Sequence, residues 1–126
     1  MMRHYPLFMD LKKRRALVVG SGEVAERKAE ALRRCGALVD IHPAFDPRAL
    51  DGCALAVGAE APETDLRALS AEARARGIPV SIVDRTELCS FITPSVIDRD
   101  PVTVAVSSSG TAPVLATACC AAVSRP

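Results

Sequence analysis

The chain has almost no charge of either sign in excess. Sixteen Lys and Arg stand against fifteen Asp and Glu, leaving a net charge of +1 over 126 residues. A balance that even provides no whole-molecule field, and so excludes nucleic acid and membrane surfaces as electrostatic partners. There is no leader or membrane-span pattern at the start, because Asp10 and the basic run Lys12-Lys13-Arg14-Arg15 follow a short apolar patch too closely. The basic run reads as a solvated lead-in to the first strand, or as a contact for phosphate or carboxylate. The five cysteines, Cys35, Cys53, Cys89, Cys119 and Cys120, are odd in number and lack metal-ligand spacing. They predict no metal site, but reduced core thiols in a cytoplasmic protein. The adjacent pair Cys119-Cys120 fits a buried apolar helix or a metal. No internal repeat or low-complexity linker appears. What remains is a short chain, 49% hydrophobic, which can bury a modest core as one domain over residues 1–126.

What is there begins with Leu17-Val-Val-Gly-Ser-Gly-Glu-Val-Ala25. An apolar run ends in Gly20-Ser21-Gly22 and passes into a helical stripe of Val24, Ala25, Lys28, Ala29, Ala31 and Leu32, closed by Gly36. Strand, glycine turn and helix N-terminus in that order form the device that holds a dinucleotide diphosphate. Gly20 permits a sharp turn and Gly22 leaves no Cβ in the way of a phosphate. Ala25 lets the helix lie close to the strand, and the unpaired N–H groups at the start of that helix face the anion, with Ser21, Glu23 and Val24 expected beside it as cofactor-binding residues. A bare structural turn is the alternative reading.

Periodicity then alternates. Ala37–Ile41, Cys53–Val57, Ile78–Val83 and Val102–Val106 read as further strands, with a helix from Pro62-Glu63 to Gly77 carrying Leu66, Leu69 and Ala73 on one face. Thr111 caps a last helix with Pro113 in its first turn. This predicts an α/β class: a Rossmann-like, mainly parallel sheet flanked by helices, in a single domain.

In such sheets ligands lie beyond the carboxyl ends of the strands. Gly20, Ser21 and Gly22, then Gly58, Ala59 and Glu60, then Asp84, then Ser107, Ser108 and Gly110 are all predicted on that edge. Asp84 is either a loop-starting cap or a proton acceptor. The serine-glycine loop is either an anion site or a capping turn. Asp40 lies about 20 residues beyond the glycines, where an acid holds the adenosine ribose and favours NAD over NADP. It also lies between Val39 and Ile41, so the alternation leaves open that it points away.

Taken together the segments resemble the siroheme synthase N-terminal module, the precorrin-2 dehydrogenase and sirohydrochlorin ferrochelatase family. The matching pieces are Tyr5-Pro-Leu-Phe-Met-Asp-Leu11, Val18 to Lys28, Arg74-Ala-Arg-Gly-Ile-Pro-Val80 on to Asp84, Cys89 to Arg99, and Pro101 to Leu115. The resemblance implies NAD as cofactor, precorrin-2 as tetrapyrrole substrate, oxidation to sirohydrochlorin, ferrous iron insertion in many members, and a homodimer. It places the catalytic aspartate on Asp84 and the nucleotide glycines on Gly20 and Gly22. The tetrapyrrole-lining loop falls on Ser107, Ser108, Gly110 and Thr111.

Three departures accompany it. Phe45-Asp-Pro-Arg-Ala-Leu50 joins the second and third strands directly, where the family has a longer stretch, so a strand is expected to be missing or replaced. Gly58-Ala-Glu-Ala-Pro62 stands where the family shows Ala-Ala-Thr-Asp-Asp, bringing the acid Glu60 to the cofactor cleft. The chain ends at Pro126, and its final helix, 111–123, reads as the start of a dimerisation region that does not follow. Two functions therefore stand: an NAD-dependent precorrin-2 dehydrogenase, or a degenerate nucleotide- or tetrapyrrole-binding module without turnover that needs a partner subunit.

Overall fold

The computed structural model describes residues 2–108 and Ala118. The chain divides into two compact units: Leu7–Phe91, and the described part of Met1–Pro6 with Ile92–Pro126. Residues 109–117 and 119–126, with Gly110, Thr111, Cys119 and Cys120 and all of the expected last helix but Ala118, lie outside the described residues.

In the Leu7–Phe91 unit, strands β1 (Arg15–Val19), β2 (Leu38–His42), β3 (Cys53–Gly58) and β4 (Val80–Ile82) form a parallel sheet in the order β2-β1-β3-β4. Helices α1 (Glu23–Arg34) and α2 (Glu63–Ala75) cover opposite faces. Side chains alternate across a strand, so each face collects every second residue. Leu17 and Val19 pack with Leu66, Leu69 and Ala73 of α2, while Val18 packs with Ala25 and Ala29 of α1. All six residues of β3 are buried, as a central strand covered on both faces requires. Each helix stops at a left-handed glycine: Gly36 (φ +84) donates to the carbonyl of Arg33, and Gly77 (φ +70) to that of Arg74.

The short connection after β2 is a 3-10 turn, Pro47–Leu50. Asp46 caps it by accepting from the Arg48 N–H at 3.0 Å, and fully buried Leu50 anchors it among the α2-side residues.

The expected fifth parallel strand is corrected. Val102–Val106 does form a strand, β6, but it pairs antiparallel with β5 (Ser95–Arg99) in the other unit, Ser95 opposite Val106. The free edge of β4 is instead closed by the segment behind it. Ser90 donates its N–H to the Val80 carbonyl (2.8 Å) and accepts from the Val80 N–H through Oγ (2.9 Å), while Cys89 Sγ accepts from the Ile82 N–H (3.1 Å). Serine and cysteine side chains thus do the pairing that a fifth strand would have done. Among the described cysteines, Cys53 is buried and Cys89 partly so, but Cys35, just past α1, is exposed.

Candidate functional site

Strand order reverses between β1 and β3: the chain leaves β1 toward β2 on one side and leaves β3 toward β4 on the other. That is where an open α/β sheet forms its ligand crevice. The register aligns Val19, Gly58 and Ile82 across β1, β3 and β4. The residues that follow leave at one edge: Gly20-Ser21-Gly22, Ala59-Glu60 and Val83-Asp84. Backbone bonds tie them together there, Gly20 N–H to His42 O at 2.7 Å, Ala59 N–H to Val19 O at 2.9 Å and Val83 N–H to Gly58 O at 2.9 Å.

Gly20 is buried with φ +146, and a Cβ there would stand 1.5 Å from the Ala59 carbonyl oxygen. The β3 exit crosses directly over the turn, so this glycine is demanded by a backbone crossing. Gly22, at φ +119, precedes α1 and supplies no side-chain cap. The cap comes from Glu60. Its Oε1 accepts from the Val24 N–H at 2.7 Å and the Ala25 N–H at 3.3 Å, and its Oε2 lies 2.7 Å from where a Gly22 Cβ would be.

The residues fit an anion. Backbone donors at a helix N-terminus converge on a space that Gly22 keeps open, and a carboxylate there already shows the charge they accept. Ser21 and Glu23 are exposed beside it, and Val24 contributes its N–H while its side chain packs with Val18, Ala25 and Ala29.

Gly58 and Ala59 sit at the same edge in structural roles. A Cβ on Gly58 would meet Ile82 Cδ1 at 2.7 Å and Leu66 Cδ2 at 2.8 Å, so Gly58 makes room for core side chains. Ala59 is buried with its carbonyl against Gly20.

Asp40 is not brought to this edge. It pairs with Leu17 in mid-strand, and Val39 and Ile41 take the α1 face, so Asp40 points to the other. There its carboxylate binds Arg15 Nη2 at 2.8 Å, at the opposite end of β1.

Asp84 is at the edge, exposed, with φ +63, a left-handed conformation that Asp tolerates better than most residues. The next residue fastens the loop. Arg85 donates to Glu63 in the first turn of α2 and, at 2.7 Å, to Glu87 Oε1. These two carboxylates hold the Arg85 guanidinium charged well past its ordinary range; Arg85 holds Glu63 below its own, and a backbone hydrogen bond followed by Arg85 does the same for Glu87. Cys89 Sγ lies 3.3 Å from the Arg85 and Ile82 carbonyls, fixing the far side of the loop.

Ser107 and Ser108 follow β6 in the other unit, and Gly110 and Thr111 lie outside the described residues. The common edge therefore joins Gly20, Ser21, Gly22, Glu23, Val24, Gly58, Ala59 and Asp84, but not Asp40.

Sequence reasoning noticed Glu60 as an intruding charge but not as the cap of α1, and it missed Arg85. The local signals were an uncapped helix start at Gly22 and a basic residue next to an edge aspartate. Among the described residues no three His, Cys, Asp or Glu gather as metal ligands, and no helix is long and apolar enough to cross a membrane.

The switch-point crevice, the glycine turn and the anion-binding start of α1 define a dinucleotide-binding α/β module. The chain matches the family model described as putative NAD(P)-binding over residues 7–43 and 38–95, and it belongs to that family. It is 46% identical over 91% of its length to the siroheme synthase of Methylobacillus flagellatus, and 44% identical over 91% to siroheme synthase 1 of Cronobacter sakazakii. It spans 29% of the length of each of those curated relatives. The solved structure of SirC, precorrin-2 dehydrogenase, superposes with a TM-score of 0.76 at 19% identity, covering 96% of this chain and 70% of that one.

Proposed function

We propose that this domain binds NAD and oxidises precorrin-2 to sirohydrochlorin, with Asp84 as the proton acceptor. The observation that supports this most is the position of Asp84, exposed on the edge that carries the glycine turn and two strands from it. Neighbouring strands lie about 4.8 Å apart, so Asp84 is about 10 Å along the crevice from the anion site, a separation that suits the reach from a diphosphate to a nicotinamide.

The backbone at Gly22, Glu23 and Val24 would hold the diphosphate, while Gly20, Ala59 and Ser21, whose N–H is bonded to the Glu60 carbonyl at 3.3 Å, keep that backbone in register. NAD, when bound, takes up the hydride. Asp84 takes the proton that leaves the neighbouring carbon, and its exposure lets it pass that proton to water. The pair of events would balance: the substrate would lose a hydride to the bound cofactor and a proton through Asp84 to water. Arg85, through Glu63 and Glu87, keeps the Asp84 loop in place. The same carboxylate is suited to accept pyrrole protons if ferrous iron is inserted afterwards. A homodimer in the cytoplasm is the proposed working form.

Glu60 favours a second reading, a degenerate module that binds nucleotide or tetrapyrrole without turnover, because its carboxylate takes N–H groups that a productively held diphosphate needs. One experiment separates the two. The purified chain is mixed with precorrin-2 and NAD, and NADH and sirohydrochlorin absorbance are followed. Dehydrogenation predicts turnover in the parent chain and a loss of roughly 10²–10⁴-fold in Asp84→Ala, with NAD affinity retained. An Asp84→Ala chain as fast as its parent removes Asp84 from the chemistry. NAD binding with no turnover in either supports the second reading.

A further inference from the structure

Resting on the dinucleotide-binding reading above, we infer that Glu60 is a tethered competitor for the dinucleotide diphosphate. In the free domain its carboxylate occupies the anion site, and dinucleotide binds only as that carboxylate leaves.

Four features of the loop carry this. First, the donors are shared: the Val24 and Ala25 N–H groups that meet Glu60 Oε1 at 2.7 and 3.3 Å are the amides an incoming phosphate oxygen needs. Second, the volume is shared, since both carboxylate oxygens lie within 2.9 Å of the Cβ position that Gly22 leaves empty. Third, the placement is rigid at its base. Ala59, immediately before, is buried and bonded to Val19, and Glu60 itself adopts φ +55, so a left-handed turn directs the side chain back over α1. Fourth, Glu60 is exposed, so its carboxylate can swing into water and regain hydration when displaced.

The contact therefore serves the free state and opposes the bound one. It supplies the cap that Gly22 cannot, satisfying N–H groups that a helix start leaves orphaned. Once displaced, the same negative charge remains beside a diphosphate and repels it. Both effects lower dinucleotide affinity relative to a neutral residue at this position. A ligand without phosphate does not compete for the amides and is indifferent to Glu60.

The test uses the full 126-residue chain and its Glu60→Gln and Glu60→Gly variants. Gln keeps the shape and removes the charge; Gly removes the side chain and suits the positive φ. NAD, ADP and adenosine are titrated by calorimetry, amide NMR follows Val24 and Ala25, and each free protein is melted. A charge-assisted hydrogen bond is about twice as strong as a neutral one, which predicts roughly tenfold tighter NAD and ADP binding in both variants. Adenosine affinity stays unchanged, the free variants melt lower than the parent, and ADP shifts the Val24 and Ala25 amides in all three.

Unchanged NAD and ADP affinity in both variants, with the parent binding both, overturns the competitor role and leaves dinucleotide binding intact. An equal gain for adenosine also overturns it, by showing that the loop merely opened. If neither parent nor variants bind NAD or ADP, the dinucleotide reading falls and the competitor role with it.

Discussion

Replacing Gly20 by Ala tests whether the crossing of β1 and β3 exits holds the whole edge together. The new Cβ would lie 1.5 Å from Ala59 O and 2.7 Å from Ala59 C, both backbone atoms. Neither strand can yield cheaply, because Ala59 is bonded to Val19 and Gly20 to His42. Overpacking of this kind costs about 3 kcal/mol at the upper end of its usual range. Forcing an L-residue to φ +146 adds about 1–3 kcal/mol of strain. A total of about 4 kcal/mol is a large share of the ordinary stability of a small domain, and it lowers the melting temperature by roughly 15 °C or more. Gly52→Ala is the control: φ is +73 but nothing lies within 4 Å of the added Cβ. That change costs only backbone strain, about 1 kcal/mol, or about 4–8 °C. Circular dichroism melts of both variants and the parent decide the matter. If Gly20→Ala melts within a few degrees of Gly52→Ala, the crossing is not a close backbone contact and the edge is not built as described.

Two further outcomes follow from the same geometry. Asp40→Asn leaves NAD affinity unchanged in calorimetry, since Arg15 binds that carboxylate away from the crevice; a marked loss of affinity would return Asp40 to the ribose. The pKa values of Glu63 and Glu87 lie below the usual 4.5, Glu63 chiefly because of its hydrogen bond with Arg85, Glu87 because of a backbone hydrogen bond first and Arg85 second. Groups with depressed folded pKa values stabilise the fold above about pH 4.5 and lose that contribution as pH falls through the folded values. The Arg85→Met variant is therefore less stable than the parent near neutral pH, and the two stability curves converge in acid. Both carboxylates are exposed, so high salt narrows the gap; parallel curves at all pH values would refute the assignment.

Much of the fold was legible because its signals are local. The apolar runs that became β1 and β3 are nearly continuous, since the middle of a parallel sheet is covered on both faces, whereas the edge strand β2 carries Asp40 and exposed ends. The stripe of Leu66, Leu69 and Ala73 marked one face of α2, and Gly36 and Gly77 marked both helix ends. The glycine turn was readable for the same reason: strand, turn and helix start follow one another without interruption. Ser95–Arg99 escaped as a strand because its apolar content is only Val96 and Ile97. Val102–Val106 was rightly read as a strand but assigned the wrong neighbours, since an isolated run does not say with which strand it pairs.

The site divides along the same line. Composition and spacing alone determined that the chain holds a glycine turn between β1 and α1, and that an aspartate ends the β4 run. Only tertiary structure decided that Asp40 faces Arg15, that Gly20 is needed by the Ala59 carbonyl, and that Glu60 reaches the amides of Val24 and Ala25. Each of those contacts joins residues 25 or more positions apart. Periodicity tells which way a side chain turns within its own element. It does not tell which loop arrives at the end of a neighbouring strand, because that depends on strand order and register, and these emerge only when the two helices close over the sheet.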